Sequence, residues 1–133
     1  MKKNYIVVTG GVGFIGSNLI KYLIDKTNFS IISLDNYSTG SKKNEIKNKK
    51  IKYIKSNTKS ISKILNPYKN NIHSLFHFGE FSRIYQSFLN MGDCINSNTI
   101  GSNEVFNYCL LNKIKLIYSA TSASIGNKGE DKN

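Results

Sequence analysis

Arginine is almost absent from the sequence. Of the 19 basic residues, 18 are lysines spread along the chain, and Arg83 is the single arginine. The net charge of +11 would otherwise suggest a nucleic-acid or anionic surface as a partner. Because the planar guanidinium group is the side chain best suited to phosphates and base edges, its scarcity argues against such an interface. We therefore expect no nucleic-acid partner.

Cysteine and long apolar runs are also scarce. The two cysteines, Cys94 and Cys109, have no metal-type spacing and no partnering histidines nearby, so we expect reduced thiols and no metal site. No apolar stretch approaches the roughly 20 residues needed to span a bilayer. The first residues run directly into a short apolar run, without the longer segment and cleavage site of a signal peptide. These absences predict a cytoplasmic protein without a membrane partner.

What the chain does contain is a glycine-rich stretch within residues 5–16. A β-branched run, Ile6–Val8, precedes the glycines and an amphipathic pattern follows them, which predicts a buried strand, a turn and a helix. Residues without a Cβ let the backbone bend tightly and let a pyrophosphate approach the N–H groups at the start of the helix. The spacing fits two versions of this pattern, Gly11-x-Gly13-x-x-Gly16 and Gly10-x-x-Gly13-x-x-Gly16.

A second apolar run ends at Asp35, 19 residues after Gly16. An acidic residue near this offset hydrogen-bonds the adenosine ribose of NAD in dinucleotide-binding folds. A capping or surface role is the alternative for this aspartate. Because strand, glycines, helix and acid come in the required order, the sequence predicts a dinucleotide site with NAD as the cofactor.

Apolar runs alternate with helical patterns along the rest of the chain, which indicates βαβ units and a parallel sheet. One helix is predicted over Phe14–Lys26, and a long helical stretch is predicted over 81–112 with an interruption near Gly92 or Gly101. We predict an α/β fold, a Rossmann-type doubly wound parallel sheet of about five strands in the order 3-2-1-4-5. The later strands are predicted at 29–35, 51–55, 74–78 and 115–119. Residues 1–133 are predicted to form one domain, incomplete at its C-terminus.

Three sequence segments make the resemblance to a family specific. Residues 9–16 (Thr-Gly-Gly-Val-Gly-Phe-Ile-Gly), then Ser17-Asn18, then 34–36 (Leu-Asp-Asn) resemble the extended short-chain dehydrogenase/reductase family, mostly nucleotide-sugar epimerases and dehydratases. Its fingerprint, Thr-Gly-x-x-Gly-x-x-Gly, selects the second spacing. The resemblance implies a nucleotide-sugar substrate and an NAD site made by Gly10, Gly13, Phe14, Ile15, Gly16, Asp35, Asn36 and Gly79.

The segment after the predicted fourth strand departs from the family pattern. The family usually has His-x-Ala-Ala where this chain has residues 77–80, His-Phe-Gly-Glu. Gly79 keeps the small size expected there, whereas Glu80 does not, and the segment is similar to a subgroup with Gly-Glu-aromatic-Ser-Arg. Arg83 is then a phosphate or substrate contact, or simply an exposed arginine. His77 is interpreted as structural. Asn98 matches an asparagine that the family keeps in its long helix, or it is a plain helix-surface asparagine.

A Ser/Thr-rich segment follows the predicted fifth strand. In the family, a serine or threonine five residues before a glycine contacts the reacting sugar hydroxyl, which implies Thr121 here, with Ser122 as the alternative. The residue before that glycine is usually aromatic and is Ile125 in this chain. The 4,6-dehydratases of the family carry Asp-Glu after the threonine, whereas this chain has Ser122 and Ala123. The resemblance therefore favours an epimerase.

The family's Tyr-x-x-x-Lys base is missing from these 133 residues. The one formal match, Tyr22 with Lys26, lies on the predicted cofactor helix and is interpreted as chance. We expect an N-terminal fragment of about two fifths of a family member, without the substrate lobe and inactive alone, with a homodimer possible for the full-length form. A non-catalytic NAD-binding remnant, or a sugar-nucleotide dehydratase or reductase of the same family, is the alternative.

Overall fold

The computed structural model describes residues 4–120, which form a parallel sheet with helices on both faces. Its five strands lie in the order β3-β2-β1-β4-β5, and every neighbouring pair is parallel. The predicted strand order and Rossmann-type fold are confirmed. The strands are β1 (Tyr5–Thr9), β2 (Ser30–Asp35), β3 (Ile51–Lys55), β4 (Ile72–His77) and β5 (Lys115–Tyr118).

The helices vary greatly in length and type. The α-helices are α1 (Phe14–Lys26), α2 (Ile61–Leu65), α3 (Ile84–Leu89), α4 (Met91–Cys94) and α5 (Ser102–Leu111). A π-helical segment, Ile95–Gly101, joins α4 to α5. Short 3-10 turns occupy Lys42–Asn44, Thr58–Ser60 and Asn66–Asn71. No helix within residues 4–120 is long and apolar enough to cross a bilayer.

The strands of the sheet bury side chains on both faces. On one face, Ile6 and Val8 of β1 pack with Ile20 and Leu23 of α1. On the other face, Val7 of β1 joins a cluster supplied by β2, β4, α2, α5 and the residue before β5, namely Ile32, Ile61, Leu65, Ile72, Leu75, Val105, Tyr108, Cys109 and Ile114. A strand covered on both faces needs a continuous apolar run rather than an alternating one, which explains the sequence of β1.

Several element boundaries differ from the sequence-based prediction: β2 begins at Ser30 rather than 29, β4 ends at His77 rather than 78, and β5 ends at Tyr118 rather than 119. Strand β4 begins at Ile72, two residues before the predicted start at 74. The long helical stretch begins only at Ile84 and breaks at Asn90, whose φ and ψ are −131° and 50°. This break lies two residues before Gly92, near which an interruption was predicted, and Gly92 itself lies inside α4. Gly101, the other predicted interruption, ends the π-helical segment, and a Cβ there would collide with Thr58 Oγ1.

Candidate functional site

The turn between β1 and α1 requires glycine at two positions. Gly10 has a φ of +70°, and a Cβ there would lie 2.5 Å from the carbonyl oxygen of Phe78. A Cβ at Gly16 would collide with the carbonyl oxygen of Gly10. The Gly13 N–H donates to that same oxygen at 3.1 Å. The first turn of α1 therefore lies directly against the glycine turn, which only residues without a side chain allow.

Gly11 has a different reason for being glycine. A Cβ at this position would collide with Ser33 Oγ on β2, and Gly11 does not line the cleft described below, whereas Gly10, Gly13 and Gly16 do. Of the two spacings that the sequence left open, the structure therefore places Gly10-x-x-Gly13-x-x-Gly16 at the cleft. Gly11 serves the packing of the turn onto the sheet.

Asp35 fixes the glycine turn from the end of β2. Its Oδ2 accepts a hydrogen bond from the Val12 N–H at 3.0 Å, and its Oδ1 accepts one from the Tyr37 N–H at 2.8 Å. The side chain is buried, yet it still lines the cleft. Because each carboxylate oxygen can accept a second hydrogen bond, this structural role leaves acceptor capacity toward a ligand.

A cleft of about 490 Å³ lies at the carboxyl ends of the strands. In folds of this class, ligands bind outside this edge of the sheet. Arg83 is the only basic residue among the lining residues within 4–120. The lining includes every sequence-predicted site residue in that range: Gly10, Gly13, Phe14, Ile15, Gly16, Asp35, Asn36, Gly79 and Arg83. Thr121 and Ser122 lie outside the described residues.

The loop after β2 closes one side of the cleft, which the sequence did not predict. The carbonyl oxygen of Val12 accepts hydrogen bonds from the Ser41 N–H at 3.2 Å and from Asn44 Nδ2 at 2.8 Å. Gly40 makes this approach possible, since a Cβ there would lie 2.6 Å from Val12 Cγ2. Gly40 is also the signal that could have pointed to the contact.

The segment after β4 is tied to β1 and to the π-helical segment. Thr9 Oγ1 accepts hydrogen bonds from the N–H groups of Phe78 and Gly79, at 3.2 and 3.1 Å. The amide of Asn98 pairs with the backbone of Phe81 in both directions, accepting from its N–H at 2.6 Å and donating to its carbonyl at 2.9 Å. These bonds hold residues 78–81 along the wall of the cleft.

His77 is fully buried and hydrogen-bonded through both ring nitrogens. Thr9 Oγ1 lies 2.6 Å from Nδ1 and Ser102 Oγ lies 2.9 Å from Nε2, while the Tyr118 ring stacks on the imidazole with centroids 5.7 Å apart. Burial lowers the pKa of His77, an effect that the Glu80 charge partly opposes. A neutral, fully partnered histidine fits the structural interpretation rather than a catalytic one.

Glu80 accepts two hydrogen bonds and is connected to His77 through Ser102. Its Oε1 accepts from Ser102 Oγ at 3.0 Å and from Tyr118 Oη at 2.7 Å. The hydrogen bond to Glu80, with a smaller contribution from burial, raises the pKa of Tyr118. Glu80 lines the cleft beside Gly79. Sequence reasoning noticed Glu80 only as a departure from a pattern and missed its partners.

The remaining sequence-predicted positions have simpler surroundings. Asn36 donates from Nδ2 to Asn57 Oδ1 at 3.0 Å and accepts from the Ser38 N–H at 2.9 Å. Arg83 is exposed on the N-terminal side of α3. Tyr22 projects from α1 with 59% of its surface exposed and does not line the cleft, as expected of a chance match.

Comparison with known sequences decides the family. Residues 6–133 match the NAD dependent epimerase/dehydratase family. The chain belongs to this family. The match covers nearly the whole chain, and the prediction of NAD as cofactor agrees with the description of the family.

Solved structures of family members share this fold. The chain is similar to UDP-N-acetylglucosamine 4-epimerase from Methanobrevibacter ruminantium, solved with UDP-N-acetylmuramic acid, with 29% identity and a TM-score of 0.80 over 100% of this chain. It is similar to UDP-glucose 4-epimerase from Thermotoga maritima, solved with UDP-glucose, with 26% identity and a TM-score of 0.78 over 88% of this chain. A third, UDP-glucose 4-epimerase from Thermus thermophilus in complex with NAD, has 21% identity and a TM-score of 0.75 over 88% of this chain, and so supports the fold alone.

This chain is much shorter than those enzymes. The alignments cover 43%, 38% and 37% of the three solved chains. The chain therefore spans about two fifths of the length of these relatives.

Proposed function

We propose that the cleft binds NAD and that the chain is the cofactor-binding part of a nucleotide-sugar epimerase. The observation that supports this most directly is the glycine cradle, in which a Cβ at Gly10 or Gly16 would collide with backbone carbonyls. Such a close approach of bare backbone is what a pyrophosphate needs to reach N–H groups. The shape of the turn thus fits a dinucleotide.

Each part of the cofactor has a group suited to it in this proposal. The N-terminus of α1 begins after Gly13 without a side-chain cap, so its free N–H groups and positive dipole end would bind the pyrophosphate. Asp35 would hold the adenosine ribose hydroxyls and disfavour NADP by repelling its additional phosphate. Phe14, Ile15, Asn36 and Gly79 would complete the contacts.

The whole protein would act on a nucleotide sugar. Two of the relatives above 25% identity were solved with UDP-linked sugars, which supports a UDP-sugar as the substrate class. When bound, NAD supplies the hydride acceptor that makes epimerisation through a keto sugar possible. Thr121, or Ser122, would orient the sugar hydroxyl and Arg83 would contact the substrate. A dehydratase or reductase activity, a cytoplasmic location and a homodimer of the longer form stay predictions.

For these 133 residues taken alone, a second candidate is NAD binding without catalysis. The observation that favours it is the absence, within these 133 residues, of a Tyr-x-x-x-Lys pair other than Tyr22 with Lys26. A positioned general base is needed to remove the proton from the sugar hydroxyl. We therefore infer that these residues alone bind cofactor and do not turn over a UDP-sugar.

Calorimetric titration of the chain with NAD+ tests the proposal. We expect saturable binding, which Gly13→Ala weakens by roughly tenfold or more. The new methyl group would lie 3.3 Å from the Gly10 oxygen and otherwise in open space, so it obstructs the cleft without preventing folding. The matched control is Gly92→Ala, since nothing lies within 4 Å of a Cβ at that position.

Two results would contradict the proposal. Absence of NAD+ binding by the folded chain would remove the cofactor site. If Gly13→Ala and Gly92→Ala weakened NAD+ binding equally, the glycine turn would not be the place where the cofactor binds. Turnover of a UDP-sugar by these residues alone would contradict only the inference that they lack the base.

A further inference from the structure

The part of the cleft formed by the segment after β4 carries a carboxylate, Glu80, that the proposed NAD site does not use. Glu80 follows β4, and its Oε1 accepts a hydrogen bond at 2.7 Å from the hydroxyl of Tyr118 at the end of β5. Asp35, the other acidic residue that lines the cleft, is the last residue of β2, on the opposite side of β1. The two acids thus lie on either side of β1 at the sheet edge that forms the cleft.

This placement assigns Glu80 to one half of a dinucleotide. With the ribose of the adenosine at Asp35 and the pyrophosphate at the glycine turn, the chain of the cofactor must continue over β4 and β5. The nicotinamide half would therefore lie on the side of Glu80. The only basic lining residue within 4–120 is Arg83, which is exposed, so no buried cation balances the carboxylate there.

The direction of the hydrogen bonds around Glu80 fixes its orientation. Thr9 Oγ1 accepts two backbone N–H groups, so its own proton goes to His77 Nδ1. His77 Nε2 then donates to Ser102 Oγ, and Ser102 donates to Glu80 Oε1. Tyr118 donates to the same oxygen. The chain of donors ends on Glu80, and its carboxylate is held in place rather than free to turn away.

We propose that Glu80 is a specificity-determining residue that makes the cleft prefer oxidised NAD+ over reduced NADH. The oxidised ring carries a positive charge that the reduced ring lacks. A fixed carboxylate on that side of the cleft attracts the positively charged oxidised ring, and it has no such attraction for the neutral reduced ring. The inference rests on the proposed NAD site, and it concerns the ratio of the two affinities rather than binding itself.

The test compares the ratio of the dissociation constants of NADH and NAD+ in the wild type and in Glu80→Gln. The glutamine keeps a carbonyl oxygen that can accept from Ser102 and Tyr118, and it removes only the charge. We expect the ratio to shift toward NADH roughly fivefold, because one partly screened unit charge contributes on the order of 1 kcal/mol. Titration with each form of the cofactor, followed by calorimetry, gives both constants without any turnover.

Two further variants complete the experiment. Asp25→Asn removes the same charge from an exposed position near the end of α1, away from the cleft, and should leave the ratio at its wild-type value. Glu80→Ala removes the charge at the same site with the residue type of the His-x-Ala-Ala pattern, and it should shift the ratio even if Glu80→Gln does not fold.

The outcomes separate this inference from the function on which it rests. A shifted ratio in the Glu80 variants, with Asp25→Asn unchanged, supports the charge effect. A ratio within twofold of wild type in the Glu80 variants, while both cofactors still bind, overturns it and leaves the NAD site intact. Failure of the wild type to bind either form overturns both.

Discussion

Ser33 shows how strongly single residues beneath the glycine turn depend on one another. Its hydroxyl is buried on β2, and within residues 4–120 its Oγ has no hydrogen-bond partner. A Cβ at Gly11 would collide with that oxygen, and would also lie 2.9 Å from Ile20 Cδ1. The serine therefore carries the cost of an unsatisfied polar group, and the glycine above it leaves just enough room for the hydroxyl.

Substitution of these two residues should be strongly non-additive. We expect Ser33→Ala to leave stability unchanged or to raise it by up to about 1 kcal/mol, because no hydrogen bond is lost. Gly11→Ala alone should cost about 1–3 kcal/mol through overpacking. In the double variant this cost should shrink by at least about half, since the methyl group then takes the space of the hydroxyl. Chemical denaturation of the four proteins measures the cycle.

A simple sum of the two single effects would contradict this account. It would mean that the Gly11 methyl is opposed by the Ser33 Cβ or by Ile20 Cδ1 rather than by the Ser33 hydroxyl. Gly92→Ala serves again as the control for a glycine replacement in open space.

The same residues show what sequence reasoning can reach. Gly10, Gly13, Gly16 and Asp35 were predicted because their spacing along the chain is typical of a dinucleotide site and matches the family fingerprint. Gly11 must be glycine because of Ser33, 22 positions later, whose hydroxyl a side chain at Gly11 would meet. Glu80 is held by Tyr118, 38 positions later, which donates a hydrogen bond to it. Such pairs become neighbours only through the order of the strands, and no pattern within one segment contains them.

At the level of elements, the π-helical segment positions one wall of the cleft. Its Asn98 holds Phe81 by two hydrogen bonds of 2.6 and 2.9 Å, while Gly101 at its end lies against Thr58, which also lines the cleft. π-helical turns insert an additional residue into a helix and often occur at functional sites. Here the π-helical segment places Asn98 against Phe81 and Gly101 against Thr58, two different parts of the cleft lining.

Removal of the Asn98 amide should loosen the segment after β4 more than it destabilises the fold. We expect Asn98→Ala to cost about 1–3 kcal/mol at most, for two lost hydrogen bonds and an unsatisfied backbone pair. Amide exchange at Phe81 should become faster, and NAD+ should bind more weakly. Hydrogen exchange with mass spectrometry, together with calorimetry, measures both effects.

Asn103→Ala is the matched control, because Asn103 is exposed on α5 and alanine is the better helix former. It should leave exchange at Phe81 and NAD+ binding as in the wild type. Protection of Phe81 in Asn98→Ala equal to that of the wild type would show that the wall is held by Thr9 and Gly79 instead.

Element boundaries were harder to predict than elements. Helix α1 and strand β3 match the predicted bounds, since each has a clear period and ends at polar residues. The break at Asn90 did not follow from glycine content. A helix can include Gly92 because a single glycine costs it only about 1 kcal/mol relative to alanine, whereas Gly101 is needed for a contact with Thr58 far away in the sequence.

For the molecule as a whole, the distribution of charge separates the cleft from the rest of the surface. Seven of the 18 lysines lie between residues 42 and 55, around the edge strand β3. Lysines at a sheet edge discourage further strands from pairing there. Within 4–120, the cleft is lined by two acidic residues, Asp35 and Glu80, and by Arg83 as its only basic residue. The net charge of +11 is thus a property of the surface and not of the site.

This separation predicts that polyanions and NAD+ do not compete. A short single-stranded oligonucleotide should be retained only weakly, and the retention should be lost steeply as salt rises, because it depends on surface lysines alone. NAD+ should bind with the same affinity with and without a saturating amount of the oligonucleotide at low salt. Fluorescence anisotropy of a labelled oligonucleotide and calorimetry with NAD+ measure the two equilibria. Displacement of NAD+ by the oligonucleotide would place the basic surface at the cleft and would contradict the assignment of this edge of the sheet to a dinucleotide.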